Sequence, residues 1–210
     1  MKVKIGVIGI MILCLAVGFS LPAQAQTVKG NYGVLKGGIY SPQNSNLDQF
    51  GTGFNGELAF GHYFSKNFAL EFGSGYFQTN RNSSGNFGNA TLTFNVVPVI
   101  LTLKGIIPLD KSVELYGLGG GGAYFLWTST SASANNQYYY SSSADNTTLA
   151  GGFLGMGINF KITPTVFLGL EGKYLWTSNV TLKNYNNTYS YTTDVNLNGI
   201  QATFNVGFLF

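Results

Sequence analysis

The sequence holds a single cysteine, a single histidine and very little charge. Asp, Glu, Lys and Arg make up 9% of its 210 residues, against roughly 25% in ordinary soluble domains. So few charges cover a water-facing surface poorly, whereas a surface solvated by lipid needs none. The cysteine, Cys14, lies in an apolar N-terminal stretch without the small residues that precede a lipoprotein cysteine. Once that stretch is removed, disulfide and thiol chemistry are excluded. The histidine, His62, cannot assemble a closed zinc site alone, and no metal or other cofactor is expected. The formal charge of +3 includes Lys2 and Lys4 of the leader. What is left forms no clustered basic face, so no nucleic-acid partner is expected.

What the chain does have begins with an export leader. Lys2 and Lys4 form a positive region, Ile5 to Leu15 are almost wholly apolar, and Ala23-Gln24-Ala25 matches the small-x-small cleavage pattern. Residues 1–25 are read as a signal peptide and 26–210 as one mature domain. The alternative, a transmembrane anchor, needs about 20 apolar residues and finds fewer. No later stretch is apolar enough to span a membrane as a helix.

Glycine is abundant, with 29 residues, and aromatics reach 15%. Both fall into period-two alternation, segment after segment. Phe54, Leu58, Phe60, His62 and Phe64 oppose Asn55, Glu57, Ala59, Gly61 and Tyr63. Phe68, Leu70, Phe72 and Tyr76 oppose Ala69, Glu71, Gly73 and Gly75. Val166, Leu168, Leu170, Tyr174 and Trp176 oppose Gly169, Glu171 and Lys173. Segments of about ten residues, apolar on one face and polar or tiny on the other, are the signature of a transmembrane barrel. Eight are counted, at 30–41, 53–64, 68–78, 91–105, 113–127, 148–160, 166–176 and 197–210, with glycines blurring the fifth. The expected fold is all-β, an eight-stranded antiparallel up-and-down transmembrane β-barrel. The links alternate long and short, and a periplasmic N-terminus puts every long one outside, as bacterial barrels have it. The long links, 42–52, 79–90, 128–147 and 177–196, are rich in Ser, Asn, Thr and Tyr, and are expected to be solvated, mobile loops.

The chain ends in Phe210, with Phe208, Val206 and Phe204 at alternating positions before it. This resembles the terminal-strand signal that the barrel-assembly machinery reads in outer-membrane proteins. The stretch Gly61-His62-Tyr63-Phe64-Ser65-Lys66-Asn67-Phe68-Ala69-Leu70-Glu71 resembles the second hairpin of small barrels of the OmpA, OmpX and OmpW type. So does the glycine-rich Tyr116-Gly117-Leu118-Gly119-Gly120-Gly121. The resemblance spans the mature chain and implies residence in the outer membrane, with lipid, lipopolysaccharide and the assembly machinery as partners and a monomeric state. No residue set carries over the hydrophobic exit channel associated with OmpW, and the soluble peptidoglycan-binding domain of full-length OmpA proteins is not expected here.

The candidate site is a set of charges on inward positions: Glu57, Glu71, Lys104, Glu171 and Lys173. Glu71 and Lys104, each about five residues from a periplasmic turn on neighbouring strands, are expected to pair. The set reads either as a satisfied network plugging a narrow barrel, since an unpaired buried charge is costly, or as a gate for a small solute. Trp127, Trp176, Tyr116 and Phe64, near strand ends, are expected in the two interfacial aromatic girdles. His62 faces lipid near a periplasmic turn, and no serine stands two residues after it as a lipid A deacylase pattern would require. The G-x-G-x-x-G match at Gly117–Gly122 lies in a strand rather than before a helix, so it carries no dinucleotide reading. Tyr138, Tyr139, Tyr140, Tyr185, Tyr189 and Tyr191 stand in the two largest loops, as an adhesive surface or against lipopolysaccharide. The expected function is non-enzymatic, structural or in surface interaction. A narrow pore for small or hydrophobic solutes is the alternative, and a lipid-modifying enzyme the remote one.

Overall fold

The structure, a computed structural model, describes residues 30–43, 50–85, 88–134, 137–141, 147–186 and 189–210. The expected signal peptide and its cleavage site lie outside the described residues. Among the described residues eleven strands follow one another: β1 (Asn31–Pro42), β2 (Gly53–Tyr63), β3 (Phe68–Gly85), β4 (Gly88–Pro108), β5 (Val113–Ala134), β6 (Gln137–Ser141), β7 (Thr147–Lys161), β8 (Val166–Thr177), β9 (Val180–Asn186), β10 (Tyr189–Val195) and β11 (Gly199–Leu209). Eight of them close the barrel, each antiparallel to its neighbours in the order β1-β2-β3-β4-β5-β7-β8-β11. The ring is completed where β11 returns to β1, from Tyr32↔Leu209 to Pro42↔Gly199. Closure gives the backbone groups of every barrel strand partners on both sides, which is what allows a sheet to sit in hydrocarbon.

The faces divide as the alternation requires. On β2, Phe54, Leu58 and Phe60 are more than half exposed, while Asn55, Glu57 and Ala59 are buried. Leu35 and Ile39 on β1 and Phe204 and Phe208 on β11 extend the same apolar outer belt. Tight turns join the strands at one end. At the first of them Ser65 Oγ accepts the backbone N–H groups of Asn67 and Phe68. Pro98 sits inside β4 and lacks the N–H a ladder needs. The pairing of β3 with β4 is interrupted there, between Ser74↔Val99 and Phe77↔Val96, and resumes in the same register.

The opposite end differs from the expectation of loops. Residues 79–90 continue β3 and β4 as a ladder up to Gly85↔Gly88. Within 128–147, β5 runs on to Ala134 and pairs with β6. Within 177–196, β9 and β10 form a separate hairpin. The physical reason lies in the residues. Thr and Tyr favour strands, and a strand outside the bilayer needs no apolar face, so it continues without the alternation that marks a membrane crossing.

The barrel interior as the candidate functional site

Six charged side chains meet in the barrel, each about 95% buried or more. Five are the inward charges read from the alternation; the sixth, Lys36 of β1, is the one around which the others gather. Lys36 Nζ lies 2.9 Å from Glu57 Oε1, 3.1 Å from Glu171 Oε1 and 3.2 Å from Glu71 Oε2. Lys104 Nζ is 2.5 Å from Glu71 Oε1 and 3.8 Å from Glu171 Oε2. Lys173 Nζ is 2.5 Å from Glu57 Oε2 and 3.8 Å from Glu171 Oε1. Three ammoniums and three carboxylates thus alternate in one neutral cluster drawn from β1, β2, β3, β4 and β8. Tyrosines fill the remaining acceptor sites: the Tyr32 hydroxyl donates to Glu71 Oε1 at 2.9 Å and the Tyr116 hydroxyl to Glu171 Oε2 at 3.1 Å. Lys104 Nζ also lies 4.5 Å above the Tyr116 ring. A second inward pair, Lys161 with Glu114, stands at the short-turn end.

Tyr116 therefore corrects an expectation. It is 1% exposed and belongs to the interior, not to an interfacial girdle. Counting by twos from Glu114 puts it inward with Leu118 and Tyr124, but glycines on both faces of β5 remove the contrast that would have shown this. Its ring lies over Gly157 of β7, as the Tyr32 ring lies over Gly61 of β2, and a Cβ at either glycine would collide with the ring. These glycines are seats for aromatic rings, a closer fit than general narrowness demands.

The other aromatics sit on the outer face. Phe64 is exposed and stacks with Phe68 at 6.2 Å beside the first short turn. Trp176 is exposed and Trp127 half-buried at the far ends of β8 and β5, where Trp127 approaches Tyr76 at 6.1 Å. His62 is exposed and its Nδ1 lies 2.9 Å from Asn31 Oδ1. In the terminal strand Phe204, Phe208 and Phe210 face outward, with Val206 half-buried between them. Tyr138, Tyr139 and Tyr140 lie on β6, Tyr185 on β9, and Tyr189 and Tyr191 on β10.

Above the charges the interior turns apolar. Tyr40, Phe77, Phe94, Tyr124, Leu149, Phe153, Leu175 and Leu197 are all nearly inaccessible and belong to one packed cluster. Two returning segments close over it. Phe50 packs tilted against Phe94 at 4.8 Å, and Leu197 is fastened by the Tyr40 hydroxyl, which donates to its carbonyl at 3.0 Å. Gly51 is held by backbone and side-chain bonds to Asn80 and Thr79. A closed ion cluster under an apolar lid can hold a barrel in shape. Among the described residues no group of three or more His, Cys, Asp or Glu is placed to hold a metal ion.

A closed antiparallel barrel with an apolar belt outside and a filled, neutral interior is a membrane barrel of the bacterial outer membrane. The chain belongs to the family described as outer membrane protein beta-barrel domain, whose profile matches residues 11–208. No curated protein matches the sequence. Among solved structures, a major outer membrane protein from Thermus thermophilus is similar at 11% identity and a TM-score of 0.57, covering 86% of this chain and 99% of that one. Neisserial surface protein A gives 15% identity and a TM-score of 0.48 over 88% and 100% of the two chains. The attachment invasion locus protein of Yersinia pestis gives 13% and 0.41 over 86% and 98%. The first of these likenesses supports the fold.

Proposed function

We propose that this barrel is a non-enzymatic outer-membrane protein that works at the cell surface, offering a protruding β-sheet to an extracellular partner. The observation that carries the reading is the continuation of β3, β4 and β5, joined by β6, beyond the level of Trp127. Thr128 to Ala134 alone add about 23 Å of strand, well past an aromatic belt. In this four-stranded sheet the outer edge of β6 has no strand beside it among the described residues. Beyond Asn80, whose carbonyl accepts the Gly51 N–H, β3 likewise pairs with β4 alone among the described residues. Open edges of this kind accept extended peptides by backbone pairing.

The interior speaks against the alternative of a narrow pore. Ions crossing it would have to break a neutral cluster and then pass the apolar layer of Phe77, Phe94 and Phe153. An enzymatic role lacks support, because His62 faces outward at the short-turn end, away from the outer leaflet. Two measurements test the reading together. Pure protein in planar bilayers is expected to give no conductance, and steady channel openings would overturn the closed-lumen part. Cells carrying a barrel in which 80–93 is replaced by a two-residue turn are expected to keep the protein in the outer membrane but lose attachment to immobilised host-matrix or bacterial surface proteins. Unchanged attachment would sink the role of the protruding sheet.

A further inference from the structure

The apolar belt is interrupted on the outside of β1, β2, β3 and β11 by a groove of about 580 Å³. Its walls are Leu35, Phe54, Leu58, Tyr76, Phe204 and Val206. Its floor is Gly37 of β1; across the ladder the Phe54 ring leans over Gly56 of β2 and forms the flank. A Cβ added at Gly37 would meet nothing within 4 Å. Packing within the chain therefore does not ask for glycine there, although glycine weakens a strand and often marks close approach by something else. The groove offers no free polar group midway down. Ser74 Oγ donates to the Pro98 carbonyl at 2.9 Å, using the oxygen that the broken ladder leaves available. At the upper end the Tyr76 hydroxyl donates to Asn95 Oδ1 at 2.6 Å, and the Tyr76 ring sits beside Trp127.

We propose that this groove is a seat for one acyl chain of an outer-leaflet lipid, with the headgroup above Tyr76 and the chain end against Leu35 and Val206. The inference rests on the outer-membrane location and is independent of the surface-interaction reading. Location and size identify the occupant. The walls belong to the belt that meets hydrocarbon. Along β1 the floor at Gly37 lies between Leu35 and Ile39, four residues or about 13 Å apart, and the two side chains take up part of that span. A helix with its side chains, about 10–12 Å across, does not reach the floor, whereas a single polymethylene chain does. Apart from Ser74, whose hydroxyl is taken up by the Pro98 carbonyl, the polar contacts stand at the Tyr76 end, near the aromatic level of the outer leaflet, and this sets the chain's direction.

The test uses the full barrel in phosphatidylcholine bilayers with a trace of phosphatidylcholine bearing a diazirine either near the carbonyl or near the methyl end of one chain. After illumination, adducts are mapped by peptide mass spectrometry. They are expected to concentrate severalfold on the groove relative to belt residues of similar exposure such as Phe72 and Leu170. The shallow probe should mark Phe54 and Tyr76, and the deep probe Leu35 and Val206. Gly37→Leu, which the open space above Gly37 accommodates, should cancel the excess while the protein keeps its folded electrophoretic mobility; Gly37→Ala serves if the larger residue impairs folding. Labelling spread evenly round the belt, or unchanged by the substitution, overturns the proposal. A reversed depth order places the chain in the periplasmic leaflet and overturns the assignment to the outer one. Barrel-to-barrel crosslinks through these residues overturn it in favour of a second copy.

Discussion

Replacing Lys36 by methionine tests how the interior cluster is organised. The substitution keeps the length of the side chain and removes the charge that touches all three carboxylates. The consequences for those carboxylates are unequal. Glu71 keeps Lys104 at 2.5 Å, and Glu57 keeps Lys173 at 2.5 Å. Glu171 is left with the Tyr116 hydroxyl at 3.1 Å and two lysines at 3.8 Å that are already engaged. Breaking a buried pair from one side costs about 3–5 kcal/mol, because a charge stays behind uncompensated. That is roughly two to three and a half decades in the unfolding equilibrium. Urea titration in phospholipid vesicles, followed by the fluorescence of Trp127 and Trp176, reads the change. The double variant Lys36→Met with Glu171→Gln removes the orphaned charge and is expected to regain more than half of the loss. Lys36→Met with Glu57→Gln frees Lys173, which must then swing to Glu171 across 3.8 Å and give up its 2.5 Å contact, and is expected to regain clearly less. A loss below about 1 kcal/mol for Lys36→Met, the range of an exposed ion pair, would refute the account. So would rescue by Glu57→Gln equal to that by Glu171→Gln.

Other expectations follow from the same geometry. Gly157→Val drives a side chain into the Tyr116 ring and the Leu170 carbonyl, and should cost about 1–3 kcal/mol in the same titration. Gly172→Ala, on the outer face with nothing within 4 Å of the new Cβ, should change stability by no more than about 0.5 kcal/mol. Phe153→Ala opens the apolar lid and should cost about 3–5 kcal/mol, yet the ion cluster beneath should keep planar-bilayer conductance at zero. Phospholipids brominated just below the headgroup should quench Trp127 and Trp176 more strongly than those brominated near the chain end, and the opposite order would remove both from the interfacial girdle.

How far the sequence could be read depended on contrast between the two faces of each strand. On β2, β3 and β8 bulky apolar residues alternate with Glu, Lys and Gly, and the inward charges stand out. On β1 the contrast fails. Tyr32, Val34 and Tyr40 share the inner face with Lys36, while Gly33 and Gly37 dilute the outer face of Leu35 and Ile39. Alternation alone therefore passed over the lysine at the centre of the cluster. A different signal would have found it: a charge midway along a strand that crosses hydrocarbon has only the interior to face. Tyr116 was misplaced for a related reason, because Gly117, Gly119 and Gly121 outside and Gly120 and Gly122 inside look alike. The extramembrane strands were missed because they carry no facial contrast at all.

That dependence on contrast bears on why the interior holds charge when apolar packing of similar volume is often as stable. The inner faces of β4 and β5 carry Ile100, Ile106, Leu118 and Leu126, side chains that lipid would also accept. Taken alone, these side chains state little preference for which face turns inward, and a slip of one residue in a strand exchanges its faces completely. The charges on β1, β2, β3, β4 and β8 remove that ambiguity. Exposing any one of them at mid-membrane costs about 2–4 kcal/mol for a lysine, somewhat less for a glutamate, and the partner left inside adds its own penalty. Because each glutamate is shared among lysines from other strands, one strand cannot slip without orphaning charges on several. The cluster thus specifies register around most of the barrel, a task that interchangeable Ile and Leu side chains cannot perform when both sides of the sheet are apolar.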